Sequence, residues 1–410
     1  MTAAPGPVVS VLVPCWNAEV SIERALHSVL ELRDVPLECV VVDDASTDGT
    51  LERVRAVAAS DPRVVVIALA ENAGVSNARN RGLDVVRGTW LTLLDADDRF
   101  LPGGLGTLAT AALGSDALAV IGQQIWWDGI RRWRTARYDV ADIREPGRKS
   151  LAANPGLLNY VSPHAKLLHR DAWRGLEFSG RVLGDQPWII RALLRAGDRI
   201  DVMGETVYEW YRPAPTIPST SITATTRASV ARGVEAVAVA GEALVSVRAE
   251  AARLLNAQDR AVIEQAYAVR LVRTDVAAHL ATAMAREDPD IGLLFDAISG
   301  FIPALPSDEE ATARALTRSI IVPSLRGWDR IGEAGRSGFW RMFEAAVRAQ
   351  PGLPDQAGGR RVRLGLRMAA AGSSRLLRAA AVALVAGDDA RRKRTSSVDA
   401  EPDEPGELSE

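Results

Sequence analysis

The sequence predicts an α/β fold with a mixed, mostly parallel sheet, followed by a mostly α-helical region. Three observations predict it. Strand and helix signals alternate over residues 8–98, polar residues recur where each strand-like run ends, and beyond about residue 225 the chain becomes Ala- and Arg-rich with helical patterning.

"VVSVLVP", Val8 to Pro14, reads as the first strand, and Ile22, Leu26, Val29 and Leu30 line one side of the helix after it. "ECVVVDD" is the second strand. "STDGTLERVRAVAAS" opens with residues that cap helices, Ser46 or Thr47 being placed to do so, and continues as a helix. "RVVVIAL" is the third strand, "GVSNARNRGLDVVRG" a helix ended by Gly88, and "WLTLLDA" the fourth strand. This alternation gives parallel strands joined by crossover helices, and such sheets bind ligands beyond the carboxyl ends of their strands. Trp16 and Asn17, Asp43 and Asp44, Asn72, and Asp95 and Asp97 all fall at those ends.

From residue 118 the pattern is mixed. "ALAVIGQQIWWDG" and "RRWRTARYDV" read as an antiparallel pair, "SPHAKLLHRDAW" as a strand turning into a helix, "GDQPWIIRALLRAG" as a helix stopped by Gly197, and "RIDVMGETVYEWYR" as a final strand pair. "PAPTIPSTSIT" is a linker. The expected division is a first domain over 1–223, a helical domain over 224–390, and a disordered charged tail over 391–410, basic and then acidic.

Composition narrows the function classes. With 410 residues, 47% hydrophobic and 25% charged, the chain buries an ordinary core, and two domains are expected. A net charge of −3 gives no sign of nucleic-acid binding. Two cysteines, Cys15 and Cys39, imply no disulfide framework; both read as small buried residues on neighbouring strands. No leader segment and no run of about 18 apolar residues is found, so a cytoplasmic protein is expected.

The stretch "LLDADD" places Asp95, Asp97 and Asp98 at a strand end. Such carboxylates are hard oxygen ligands for Mg²⁺ or Mn²⁺, and a cation there can bridge a diphosphate and assist its departure. The plain alternative is a solvated turn with Asp98 as a cap. Two other acid-rich chemistries fit less well. Haloacid-dehalogenase-type phosphatases need a small β-branched residue where Asp98 stands, and response-regulator receivers carry their acidic pair after the first strand, whereas Asp43 and Asp44 follow the second.

Taken together, "VSVLVPCWNAEVSIERALHSVL", "VVVDDASTDGT", "ENAGVSNARNRGL" and "LLDADD" resemble a family 2 glycosyltransferase of GT-A fold over residues 8 to about 223. The resemblance implies a nucleotide-activated sugar donor, Mn²⁺ or Mg²⁺, and transfer with inversion. By residue match, Pro14, Trp16 and Asn17 form the first donor loop, Asp44 accepts from the donor base, and Asn72 and Arg79 pass under the nucleotide. Asp97 is the leading metal ligand and Asp95 a ribose or metal-side contact. Asp185 takes the position of the general base, with Gly184 where the family frequently carries Glu. Trp127, His164 and Lys166 fall on the acceptor side, and the Trp- and Arg-rich segment 126–134 suits an anionic or lipid-linked saccharide. The Gln-x-x-Arg-Trp motif and spanning helices of the processive synthases are lacking, so non-processive transfer is implied. Two rivals remain: a non-catalytic nucleotide-sugar-binding protein on the same fold, and a nucleotidyltransferase, whose Gly-rich first loop "PCWNAEV" does not provide.

Near the C-terminus, Arg363, Arg367, Arg375 and Arg378 share one helical face and Val362, Leu366, Ala369, Leu376, Leu377 and Leu384 the other. That stripe is expected to pack on the helical domain or on a second copy of the chain, or else to lie on an anionic membrane surface as a peripheral contact.

Overall fold

The computed structural model describes residues 8–135, 139–180, 183–212, 229–307, 310–357, 360–371 and 377–385. The linker expected over "PAPTIPSTSIT" and the charged tail lie outside them. The chain divides into two compact units, residues 1–225 with 239–270 and residues 226–238 with 271–410. The helical residues 239–270 thus group with the sheet, a grouping that a division at 223/224 does not contain.

The first unit opens with β1 (Val9–Cys15), α1 (Ile22–Leu30), β2 (Leu37–Asp43), α2 (Thr50–Ser60), β3 (Val64–Ala68), α3 (Val75–Leu83) and β4 (Trp90–Leu93). Every residue of β1 and β2 is buried, the continuous apolar pattern of strands covered on both faces. Ser10, Glu38 and Asp43 are the polar exceptions, and Glu38 accepts hydrogen bonds from Ser10 Oγ at 2.6 Å and Arg87 Nε at 2.9 Å. α1 buries Ile22, Leu26, Val29 and Leu30, as its spacing predicts. α3 lies so close to β1 that a Cβ at Gly82 would stand 2.1 Å from Leu12 Cδ1. Cys15 and Cys39 are buried free thiols, and burial pushes Cys39 up to about 12.

There follow β5 (Arg99–Phe100), α4 (Gly104–Leu113), β6 (Ala119–Trp127), β7 (Arg132–Trp133), α5 (Ala141–Arg144), β8 (Gly147–Lys149), β9 (Lys166–His169), α6 (Arg170–Trp173), α7 (Asp185–Ala196) and β10 (Ile200–Tyr211). The sheet order is β3-β2-β1-β4-β9-β6-β10-β5, with β7 on β6 and β8 on β10. The long pairings, β1 with β2 and β4, β2 with β3, and β6 with β10, are parallel. β9 runs antiparallel between β4 and β6, so β1, β2, β4, β6 and β10 all point the same way. Their carboxyl ends form one edge.

One expected element differs. "RIDVMGETVYEWYR" is a single strand rather than a pair: its register against β6 shifts between Val202 and Thr206 and again before Tyr208. These irregularities interrupt the alternation of sides, which makes one strand read as two.

The second unit contains the helices Ile291–Phe301 and Glu333–Ala349, which cross closely enough that a Cβ at Gly338 would meet Gly292 O at 2.9 Å. Phe295, Phe339 and Phe343 fill its core. Val362, Leu366 and Ala369 on the helix Arg360–Ala371 are buried too. This corrects the membrane alternative for that part of the stripe, because a face packed into the unit's core is not available to a bilayer. Arg375 and Leu376 lie outside the described residues. Among the described residues no helix is long and apolar enough to cross a membrane.

Candidate active site

The loops at the carboxyl edge are stitched to one another. Asn17, after β1, has a left-handed φ of 48°, which asparagine tolerates better than most residues. Its N–H donates to Ser46 Oγ at 3.0 Å, and its Oδ1 accepts from Thr47 N–H at 2.8 Å. Ser46 and Thr47 therefore serve this loop pair and not the cap of α2. At that helix start Asp48 Oδ1 accepts from Thr50 N–H at 3.0 Å instead. Asp43 Oδ2 accepts from Ser46 N–H at 3.1 Å, a loop-supporting contact. Pro14 is buried within β1, and Trp16 is 50% exposed, its ring open to an incoming flat group.

Asp44, buried at the end of β2, accepts from Ala73 N–H at 3.0 Å and Gly74 N–H at 2.8 Å, while Asn72 Nδ2 donates to its main-chain oxygen at 3.1 Å. The loop entering α3 is thereby fixed. Arg79, buried on α3, donates from Nη2 to Asp95 Oδ1 at 3.0 Å and lies 5.3 Å from the centre of the Phe178 ring.

Asp95 is therefore engaged from two sides, because His164 Nε2 also lies 3.1 Å from its Oδ1. Burial opposes its charge, but His164 and Arg79 hold its carboxyl well below the usual range. Its neighbours move the other way. Asp97 is pushed up to about 6, by burial first and then by the charge of Asp95. Asp98 is raised by burial and by Asp97 and Asp95, and both its oxygens are engaged: Tyr208 Oη donates at 2.7 Å and Tyr211 N–H at 2.7 Å. Three carboxyls thus share one strand end at a cost that a cation would relieve. One ligand atom from each of Asp95, Asp98 and His164 lies within 4.8 Å of the others; Asp97 is outside that group. An oxygen and imidazole set of this kind could hold a divalent cation.

Lys166 on β9 is fully buried and donates from Nζ to Ser162 O at 2.7 Å, with the Tyr160 ring centre 3.4 Å away. Burial lowers it well below the usual lysine range, and Asp185 is the charge opposing that shift. Asp185 is the first residue of α7. That helix is seated by Trp188, which stacks on Phe178 at 4.5 Å. Phe178 is in turn fastened to α3: its N–H donates to Asn80 Oδ1 at 2.8 Å, and Asn80 Nδ2 donates to its carbonyl at 2.9 Å. Trp127 stands at the end of β6 beside Tyr211, with ring centres 5.4 Å apart.

Sequence reasoning weighed Asp98 only as part of the acidic run or a cap, and passed over Arg24, Phe178, Tyr208 and Tyr211. The two tyrosines were visible in "VYEWY", but their meeting with Asp98 depends on β10 lying beside β5.

Residues 10–176 match the family model described as Glycosyl transferase family 2. This segment belongs to glycosyl transferase family 2. The family 2 domain is similar to ExoO of Rhizobium meliloti (strain 1021), a succinoglycan biosynthesis protein, at 43% identity over 99 residues, covering 24% of this chain and 28% of ExoO. It is similar to the GalNAc(5)-diNAcBac-PP-undecaprenol beta-1,3-glucosyltransferase of Campylobacter jejuni, at 37% identity over 108 residues, 26% of this chain and 35% of that one. The chain thus matches about a third of the length of these curated relatives. Among solved structures, S. aureus TarS 1–349 in complex with UDP-GlcNAc superposes with a TM-score of 0.62 at 19% identity, over 83% of this chain and 92% of that one, a likeness of fold.

The structure also gives a physical reason for Gly184. A Cβ there would lie 2.0 Å from the carbonyl oxygen of Ser179 and 2.7 Å from Ser76 Oγ. A Glu at this position cannot be accommodated unless the segment fastened by Ser76 Oγ to Gly180 O, at 2.6 Å, moves away. Gly184→Glu is therefore expected to lower unfolding stability by about 1–3 kcal/mol, the usual cost of overpacking, and to reduce transfer rather than raise it. Urea unfolding and a transfer assay check this; an active, undestabilised variant would refute the steric account.

Proposed function

We propose that the family 2 domain is an inverting, metal-dependent, non-processive glycosyltransferase, moving a sugar from a nucleotide-activated donor to a saccharide acceptor. The observation that carries this reading is the convergence at one sheet edge of Trp16, Asp44, Arg79, the Asp95–Asp98 cluster and His164. Such an edge is where open α/β sheets bind nucleotides.

In this reading Trp16 stacks on the base and Asp44 accepts from it, while Pro14 and Asn17 shape the first loop. Asn72 and Arg79 lie beneath the diphosphate. Asp97, with Asp95, would hold Mn²⁺ or Mg²⁺. Asp97 stands outside the Asp95, Asp98 and His164 group, but its carboxylate has no side-chain donor among the described residues, whereas Asp98 is engaged by the tyrosine pair. When bound, the ion would offset charge on the donor diphosphate and on the departing nucleotide. Asp185 accepts the proton of the acceptor hydroxyl as it attacks from the side opposite the leaving group. Trp127 faces the acceptor, while His164, set against Asp95, and Lys166 are buried and support that side of the site rather than touch the acceptor. The undecaprenol-linked substrate of the Campylobacter relative supports a lipid-linked saccharide as one acceptor class, and the succinoglycan role of ExoO supports a polysaccharide.

The test is a thermal-shift panel of nucleotide sugars with and without Mn²⁺, followed by product analysis. A donor that binds the folded state raises its apparent stability. One class of nucleotide sugar is expected to shift Tm only with Mn²⁺ and to release nucleoside diphosphate on turnover. Release of pyrophosphate would point to a nucleotidyltransferase, and binding without turnover on any acceptor to a binding protein.

A further inference from the structure

We propose that Arg24, Arg99, Trp127 and Tyr211 form an acceptor subsite that takes an anionic group, a phosphate or carboxylate carried by the saccharide. The assignment rests on the glycosyltransferase reading above and names the acceptor class for it.

The subsite lies on the acceptor half of the edge. β6 and β10 end there, separated by β9 from the β3-β2-β1-β4 half that bears the nucleotide loops. Trp127 carries two guanidiniums, Arg24 at 5.0 Å and Arg99 at 4.8 Å from its ring centre, and Arg24 is also 5.5 Å from the Tyr211 ring. Each contact is a favourable cation–π pair. Placing two cations on one indole is unfavourable between them unless an anion joins them.

Two of the nearby anions are already shared. Buried Glu209 pairs with Arg99 at 2.5 Å and also with Arg132. Asp98 is held by Tyr208 and Tyr211. Arg24 has no carboxylate within salt-bridge distance among the described residues; its Nη2 donates at 2.7 Å to the main-chain oxygen of Asp97. Its Nε is buried and makes no hydrogen bond. A further guanidinium, Arg212, sits 4.6 Å from the Trp126 ring beside this group. Four guanidiniums, Arg24, Arg99, Arg132 and Arg212, thus gather here, and the Nε of Arg24 has a donor to offer. A planar fork matches a carboxylate or phosphate oxygen pair, and the aromatic faces of Trp127 and Tyr211 suit the apolar side of a sugar ring. The hydrogen bond from Arg24 to Asp97 O sets this subsite directly beside the acid cluster, so an acceptor anchored here has its hydroxyls next to the donor.

The experiment uses the full chain and three oligosaccharide probes of equal length: a galacturonate trimer bearing carboxylates, a glycerol phosphate trimer bearing phosphodiesters, and a neutral galactose trimer. Binding is measured by titration calorimetry at low salt for wild type, Arg24→Gln, Arg24→Lys and Trp127→Phe, beside titrations of uridine and guanosine diphosphate with Mn²⁺. Wild type is expected to bind at least one anionic probe about tenfold or more tighter than the neutral one. Which probe wins tells carboxylate from phosphate. Arg24→Gln should abolish that preference, Arg24→Lys should keep part of it, and nucleoside diphosphate affinity should stay at wild type in both. No preference for either anion in wild type overturns the proposal. So does an Arg24→Gln loss confined to the nucleoside diphosphates, which would move Arg24 to the donor side. If wild type binds no nucleoside diphosphate but prefers an anionic probe, the glycosyltransferase reading fails and the anion site stands.

Discussion

Asp185→Asn is expected to bind the nucleotide donor at wild-type affinity and to transfer its sugar about 10²-fold or more slowly, the usual scale for loss of a general base. The reason is positional. Asp185 opens α7, and α7 is held through Trp188, Phe178 and Asn80 to α3, the helix that carries Arg79. α7 and α3 are therefore braced against each other independently of the Asp185 carboxylate. The Asn side chain keeps the size of Asp, so the brace survives while proton acceptance is lost. Steady-state transfer with an authentic acceptor, beside donor titration, separates the two effects. Unchanged turnover would remove Asp185 from the reaction, and a parallel loss of donor binding would make its role structural.

Asp97→Asn is expected to weaken binding of a Mn²⁺–nucleotide complex by about 10²-fold while stabilising the metal-free fold. The second half follows from the crowding of carboxyls. Asp97 is pushed up to about 6 from its usual 3.8, by burial and by Asp95. For an acid raised on folding, the ionised form costs stability above the folded value, and that cost disappears as the pH falls toward the unfolded one. In chelator at pH 7 the variant should melt about 2 °C or more above wild type, and the difference should close by about pH 4. Calorimetry with Mn²⁺ and nucleotide, and melting curves across that pH range, check both halves. Wild-type affinity in the variant would mean that Asp97 is not a ligand.

Much of this arrangement was legible before the structure. β1 and β2 are buried on both faces, so they appear in the sequence as unbroken apolar runs, and the residues just after them fall at the carboxyl edge by simple chain direction. Asp44 and Asn72 could be placed together on that ground alone, and they do meet. What was not legible depends on distant chain segments. Asp98 is drawn into the core by Tyr208 and Tyr211, which requires β10 to run beside β5. The contact of His164 with Asp95 requires β9 to insert antiparallel next to β4. The lack of room at Gly184 is set by the carbonyl of Ser179, which no local pattern announces. β10 was misread as a pair because its register shifts hide its continuity.

The central claim is that the carboxyl edge of the sheet holds a nucleotide through a cation at the Asp95–Asp97 motif. Crystals grown with Mn²⁺ and a nucleoside diphosphate, measured at a wavelength where manganese scatters anomalously, test it most directly. The account predicts one anomalous peak coordinated by an Asp97 carboxylate oxygen and by the diphosphate, with the base beside Trp16 and Asp44. A nucleotide bound away from those residues, or a manganese peak that does not touch the Asp95–Asp98 cluster, would contradict it.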